Sequence, residues 1–251
     1  MLHSHFFRLK GANMKGMLPI GSYWLSILLL SFVTLSQGHA TGVVDRVYKP
    51  NILPLEKNVE WRLVSRNAPS GNELLQRIGY GHALAEGFLV QGFMLGKRDN
   101  NDQFGIAAYE IEVRWMIGQQ GQYWADTAVL LEIAKDHHQD QYQASLGLIN
   151  EKQWGRTILA TNLITKQTFG ADTNNVLEAE FRMQYRYLFT PAFQPALEIY
   201  SDRDFQGIGP GFMGVAKFSP KQHLKWELAF IKGVNGNKKD HTLRAGLEWT
   251  F

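Results

Sequence analysis

The chain has 251 residues, 45% of them hydrophobic and 20% charged, with 26 basic and 23 acidic side chains for a net charge of +3. It contains no cysteine, which excludes disulfides, thiolate metal sites and cysteine nucleophiles. The charge is close to balance, and no basic patch or arm argues for a nucleic-acid partner.

Residues 1–40 hold Arg8, Lys10 and Lys15, no acidic residue, an apolar run over 23–33, and an exit of small residues at Gly38 and Ala40. A basic start, a short apolar core and a small-residue exit make a secretory signal peptide. The run is shorter than the ~20 residues a spanning helix needs, so a retained membrane helix is the weaker reading. Met14 and Met17 offer later starts that give a conventional signal length. Without residues 1–40, 23 basic residues face 23 acidic ones, and the remainder is formally neutral. In residues 41–56, Pro50 and Pro54 forbid a central strand. This segment is expected to be either a loose periplasmic N-terminal segment or a short plug for the domain that begins at residue 57.

From residue 57 onward apolar and polar residues alternate, the period of a strand between two media. Strands are predicted at 57–66, 72–82, 86–97, 103–117, 122–135, 140–151, 154–167, 175–189, 194–202, 209–218, 222–232 and 241–251. After residue 40 no apolar run reaches helical spanning length, and lipid leaves open sheet edges without partners, so spanning strands must close into a barrel. The expected fold class is all-β: a single antiparallel up-and-down transmembrane barrel of about 12 strands over residues 57–251, preceded by a cleaved signal peptide. An even strand number brings both ends of the barrel to one side. Connections at 82–85, 118–121, 152–153, 190–193 and 219–222 are short and rich in turn residues. Those at 66–71, 97–102, 135–139, 168–174, 201–209 and 233–240 are more polar, as cell-surface loops are. Gly207, Gly209, Pro210 and Gly211 read as a turn entering strand ten.

One face of these strands is charged. Strand one carries Glu60 and Arg62, strand two Arg77, and strand four Glu110, Glu112 and Arg114. Strand five adds Asp126 and Glu132, strand eight Glu178, Glu180, Arg182 and Arg186, and strand nine Glu198. Strand eleven adds Glu227, and strand twelve Arg244 and Glu248. An arginine at the lipid midplane costs on the order of 2–4 kcal/mol, so these are candidate lumen-lining residues. Trp115, Tyr123, Trp154, Tyr187, Trp249 and Phe251 cluster near one end of the strands and are candidates for an aromatic girdle at the membrane interface. With 12 strands the lumen is intermediate between a filled barrel and an aqueous channel. The expected function is therefore a narrow, transporter-like pore for small solutes with a mixed-charge lumen. The alternative is a non-conducting structural envelope barrel whose ion pairs shut the lumen, and a surface hydrolase is a third.

Catalytic signals are weak. Glu-x-Glu pairs are what any polar barrel wall contains. Asp136, His137, His138 and Asp140 form a surface loop whose spacing matches no defined metal site, and no metal, cofactor or catalytic residue is assigned. Asp202-x-Asp204 and Asp136-x-His138 resemble the Asp-Asp and Asp-His pairs of the omptin surface proteases, in reversed chain order. The His-x-Ser arrangement of outer-membrane phospholipase is missing, since no serine lies two places after His82, His137, His138, His223 or His241.

The last strand reads Leu243, Ala245, Leu247, Trp249 and Phe251 on one face. A terminal Phe closing such a strand resembles the β-signal of Gram-negative outer-membrane barrels, which implies outer-membrane lipid as surroundings and the barrel-assembly machinery as a partner during insertion. Tyr48-x-Pro50, Glu60-Trp61-Arg62, Glu110-x-Glu112-x-Arg114-Trp115, Tyr123-Trp124-Ala125-Asp126, Trp154-Gly155, Tyr185-Arg186-Tyr187 and Gly207-x-Gly209-Pro210 together resemble a family of small, largely uncharacterised proteobacterial outer-membrane β-barrels. That resemblance implies location and fold. It implies no substrate and no catalytic residue.

Overall fold

The computed structural model describes residues 45–68, 71–98, 103–203, 205–234 and 241–251. The predicted signal segment and residues 41–44 lie outside them. Twelve strands succeed one another: β1 (Lys57–Ala68), β2 (Gly71–Ala85), β3 (Phe88–Arg98), β4 (Phe104–Ile117), β5 (Asp126–Asp136), β6 (Gln141–Trp154), β7 (Thr157–Gly170), β8 (Val176–Tyr187), β9 (Gln194–Ser201), β10 (Gln206–Lys217), β11 (His223–Gly233) and β12 (His241–Thr250). Each pairs antiparallel with its sequence neighbours, and β1 pairs with β12 to close the barrel. The seam runs from Asn58 opposite Thr250 to Asn67 opposite His241. Beyond it, Phe251 and Lys57 exchange both backbone hydrogen bonds, at 2.9 and 3.3 Å. Closure leaves no sheet edge unpaired. We call the rim carrying Lys57 and Phe251 the base, and the opposite rim the top.

Three predicted connections differ. β2 continues through Ala85, and β6 runs to Trp154, so 82–85 and 152–153 are strand rather than turn. The β6–β7 turn is Gly155-Arg156, with Gly155 at φ +56°, the left-handed conformation that a tight two-residue hairpin requires at its first position. β5 starts at Asp126 rather than at residue 122. Asp126 Oδ1 accepts a 2.6 Å hydrogen bond from Gly121 N, which ties the base turn before the strand begins.

The predicted turn at Gly207–Gly211 is instead the first half of β10. Its glycines are there for space. A methyl group on Gly209 would stand 1.8 Å from the Phe230 carbonyl oxygen, and one on Gly211 2.9 Å from Glu198 Oε1. Pairing with β11 lapses between Ile208 and Gly211, where Pro210 has no amide hydrogen to donate. Pairing with β9 runs through unbroken, with Pro210 opposite Leu197.

Candidate functional site: an occupied lumen

The inward faces carry most of the charges singled out above. Glu60, Arg62, Arg77, Glu110, Glu112, Arg114, Glu180, Arg182, Arg186, Glu198, Arg244 and Glu248 are buried. Glu132, Glu178, Glu227 and Asp126 are half-buried. Asp126 serves the base turn, and Glu178 lies near the top, 3.7 Å from Arg203. Most of the rest pair with one another along and across strands, while Arg186 pairs with Glu151, Glu248 with Arg46 and Lys225, and Glu132 accepts from Ser145. Arg244 and Glu198 are both 0% exposed and meet at 2.8 Å. Arg182 meets Glu180 at 2.6 Å, and Arg77 reaches Glu110 at 2.6 Å and Glu112 at 3.0 Å. A buried charge is tolerated only when paired and hydrogen-bonded, and this network supplies the pairing. Arg77 also lies over the Phe93 ring, 3.5 Å from its centroid. That ring occupies the space left by Gly79, which faces it across the strand pair.

Sequence reasoning missed a second kind of inner wall. Ala128 and Leu130 on β5, Ile149 on β6, and Ala160 and Ile164 on β7 are buried. Their neighbours Leu131, Leu148 and Leu163 are exposed on the outside. Around these positions the strands are therefore apolar on both faces. The signal was present as adjacent apolar pairs, Leu130-Leu131, Leu148-Ile149 and Leu163-Ile164, which break strict alternation.

Residues 45–56 lie against both walls. The Tyr48 side chain packs with Ala128, Leu130, Ile149 and Ile164. Val47 packs with Ala160, Tyr200, Phe205, Ala229 and Ile231, and Ile52 with Ala83, Leu89 and Met116. Asn162 serves the Tyr48 backbone twice: its Oδ1 accepts from Tyr48 N at 2.6 Å, and its Nδ2 donates to Tyr48 O at 3.0 Å. Tyr48 OH donates to Glu112 at 2.9 Å. Burial, then the Glu112 carboxylate, push that phenol well above its ordinary range, so it donates as a neutral hydroxyl.

Charged contacts complete the seat. Asp45 bonds Arg62 and lies 3.5 Å from Arg77 and 3.6 Å from Arg182. Arg182 donates to the Arg46 carbonyl at 2.6 Å, and Arg244 to the Asp45 carbonyl at 2.9 Å. Arg46 lies between Glu60 at 3.0 Å and Glu248 at 3.2 Å. The two carboxylates hold its guanidinium above its already high ordinary value against the opposing effect of burial.

Two cavities flank this segment. One, of about 260 Å³, extends toward the top and is lined by Asp45, Tyr48, Arg77, Lys166, Glu178 and Arg203 among others. The other, of about 310 Å³, extends toward the base and is lined by Arg46, Val47, Lys49, Glu151, Arg186 and Lys225 among others. No described residue lines both.

Outside, the aromatic residues named above are exposed or half-buried. Trp154 meets Trp124 edge-on with centroids 6.1 Å apart, and Trp249 lies 5.2 Å from Phe218. His137 and His138 sit in an exposed turn where Asp136 Oδ1 accepts from His138 N at 2.7 Å. Gln139 N donates to the same oxygen at 2.9 Å, so Asp136 closes this turn. Asp204 lies outside the described residues. Among the described residues one carboxylate group comes close enough to suggest a metal, namely Glu110, Glu112 and Glu132. Arg77 and Tyr48 already engage Glu112, and Arg77 engages Glu110.

No family model matches the chain, and no curated protein sequence matches it. Solved structures do. The KdgM porin in complex with disordered oligogalacturonate is 11% identical, with a TM-score of 0.51 over 77% of this chain and 99% of that one. The fold is that of the outer-membrane barrels. The translocator domain of autotransporter NalP from Neisseria meningitidis is 9% identical, with a TM-score of 0.51 over 80% of this chain and 89% of that one. The COG4313 outer membrane channel from Pseudomonas putida F1 is 10% identical, with a TM-score of 0.50 over 83% of this chain and all of that one. At these identities the likeness establishes fold.

Proposed function

We propose that this chain is a Gram-negative outer-membrane barrel that acts as a narrow pore for small solutes, with a mixed-charge lumen that its own residues 45–56 occupy in this conformation. The observation that carries the reading is the pair of cavities along the barrel axis, separated by a segment held through side chains rather than through strand pairing. Such a segment can leave without unzipping the sheet. The KdgM porin and the COG4313 outer membrane channel, a porin and a channel by name, support the reading by analogy of fold. In it, the buried carboxylates and guanidiniums line the passage, and Trp115, Tyr123, Trp154, Tyr187, Trp249 and Phe251 mark the interface near the base.

The test is electrical. Refolded full-length protein in planar bilayers is compared with a variant lacking residues 41–52, which keeps the turn at Leu53–Glu56. The deletion is expected to give larger discrete conductance steps than the intact chain. If the deleted barrel folds, as judged by heat-modifiable migration on gels, and stays electrically silent, the pore reading falls. The second reading, a non-conducting envelope barrel, is favoured by the ion pairs that cross the lumen. It expects Glu110→Gln, Glu112→Gln, Arg182→Gln and Arg186→Gln to lower unfolding stability with no change in permeability.

A further inference from the structure

The base-side cavity holds two cations, Lys49 and Arg186, that share one nearby carboxylate, Glu151. Lys49 comes from the lumen segment, and its Nζ ends 3.7 Å from Met213 Sδ. Arg186 comes from β8, and its Nη1 also ends 3.7 Å from Met213 Sδ. A thioether is a weak acceptor. No carboxylate among the described residues lies within ion-pair distance of Lys49. Arg186 is 8% exposed, and its Nε has no hydrogen-bond partner among the described residues. The local counter-charge is Glu151, 3.3 Å from Arg186 Nη2, and it also accepts from Asn51 at 3.3 Å. Around the sulfur, two positive charges therefore meet one negative charge. The other charges lining this cavity pair away from Lys49 and Arg186: Arg46 with Glu60 and Glu248, Lys225 with Glu56 and Glu248, Arg114 with Glu112, and Glu227 with Arg244 at 3.4 Å.

An uncompensated charge in a partly dehydrated site is costly, and a protein relieves it by losing the proton or by binding a counter-ion. The geometry points to a binding site for a small monocarboxylate, gripped between Lys49 Nζ and the Arg186 guanidinium over Met213. One surplus positive charge calls for one negative charge. The planar guanidinium, with unused N–H groups, matches a planar carboxylate. The volume of about 310 Å³ sits at the small end of ligand sites. Without an anion the protein takes the other route: burial first, then Arg186, push the Lys49 ammonium down to about 7.

That value sets the sign of the pH dependence. Below about 7 Lys49 is charged and the anion is held by two cations. As pH rises through 7, empty protein loses the Lys49 proton and binding weakens, while Arg186 stays charged. The groups facing Lys49 are Arg186 from β8, Glu151 from β6, and Lys225 and Glu227 from β11. Arg114 from β4 donates to its carbonyl at 3.2 Å.

The carboxylate site gives the proposed pore a solute class, and rests on that reading only for transport. Binding is measured without flux, by ligand-observed NMR titration of refolded full-length protein with lactate, its neutral isostere lactamide, and inorganic phosphate. Lactate is expected to bind, and lactamide at least tenfold more weakly. Lys49→Met, which lies outside the strands and leaves the sheet intact, should weaken lactate at least tenfold and remove the pH dependence near 7. Lys49→Arg should keep binding and flatten the same dependence. Equal binding of lactate and lactamide, preference for phosphate, or unchanged lactate binding in Lys49→Met would each overturn the site. A conducting barrel that ignores lactate sinks this inference alone, and a lactate-binding barrel that never conducts sinks the pore alone.

Discussion

The inner wall at mid-height is two different surfaces. On β8, β9, β12 and β1 it is charged: Arg182, Glu198, Arg244, Glu60 and Arg62 form a buried lattice. On β5 to β7 it is apolar, with Ala128, Leu130, Ile149, Ala160 and Ile164. The charged wall pairs within itself and also engages both the side chains and the carbonyls of residues 45 and 46. The apolar wall packs against the Tyr48 and Val47 side chains. A water-filled channel lined by Leu and Ile on one side would leave that surface wetted at roughly 25 cal/mol per Å². The apolar wall therefore marks the part of the lumen that was shaped to be occupied.

Four substitutions probe this contrast. Glu198→Ala takes from buried Arg244 its nearest carboxylate at the centre of the charged wall and leaves Glu227, at 3.4 Å, as its counter-charge. Breaking such a pair costs about 3–5 kcal/mol, read as a shift in urea unfolding by tryptophan fluorescence. Leu130→Ala removes part of the Tyr48 seat, at about 2–5 kcal/mol for a buried leucine. Here the loss falls on docking of the segment rather than on the barrel. The measurement is trypsin cleavage after Arg46, which should accelerate while the folded barrel persists. Gly209→Ala forces a methyl group against the Phe230 carbonyl, at about 1–3 kcal/mol for overpacking, and hydrogen exchange should rise along β10 and β11. Lys97→Ala removes a rim pair, 3.5 Å from Glu73 with Lys97 39% exposed, and should cost at most about 1 kcal/mol. If Leu130→Ala left cleavage after Arg46 unchanged, the apolar wall would not be holding the segment, and the contrast between the walls would lose its meaning.

The strands are not equally legible along the chain, for identifiable reasons. β4 and β8 are plain because Glu110-x-Glu112-x-Arg114 and Glu178-x-Glu180-x-Arg182 alternate strictly against Ile111, Val113 and Phe181. β10 is misleading at its start. Gly207, Gly209 and Gly211 carry the turn signature, yet here they make room for neighbouring side chains and, at Gly209, for the β11 backbone. The candidate site is half legible. Charge on one face announces Arg182 and Arg244. Glu151, Asn162 and Leu130, which hold residues 45–56, lie on strands whose inward faces mix apolar, polar and charged residues, and a period of two does not plainly distinguish the faces there.

The order of amino acids is enough to dictate the barrel class and the number of strands. Alternation, turn residues and strand length are local properties, and closure is forced once no edge can be left unpaired. What fills the lumen is settled in three dimensions. Asp45 meets Arg62, Arg77 and Arg182, and Tyr48 meets Glu112 and Asn162. Those partners lie far apart along the chain and come together only because the sheet curves through a full turn. Two prolines exclude residues 41–56 from a central strand, and no local pattern tells such a segment whether to hang free or to enter. That depends on the apolar wall and the pairing left open inside, which exist only when the barrel has closed.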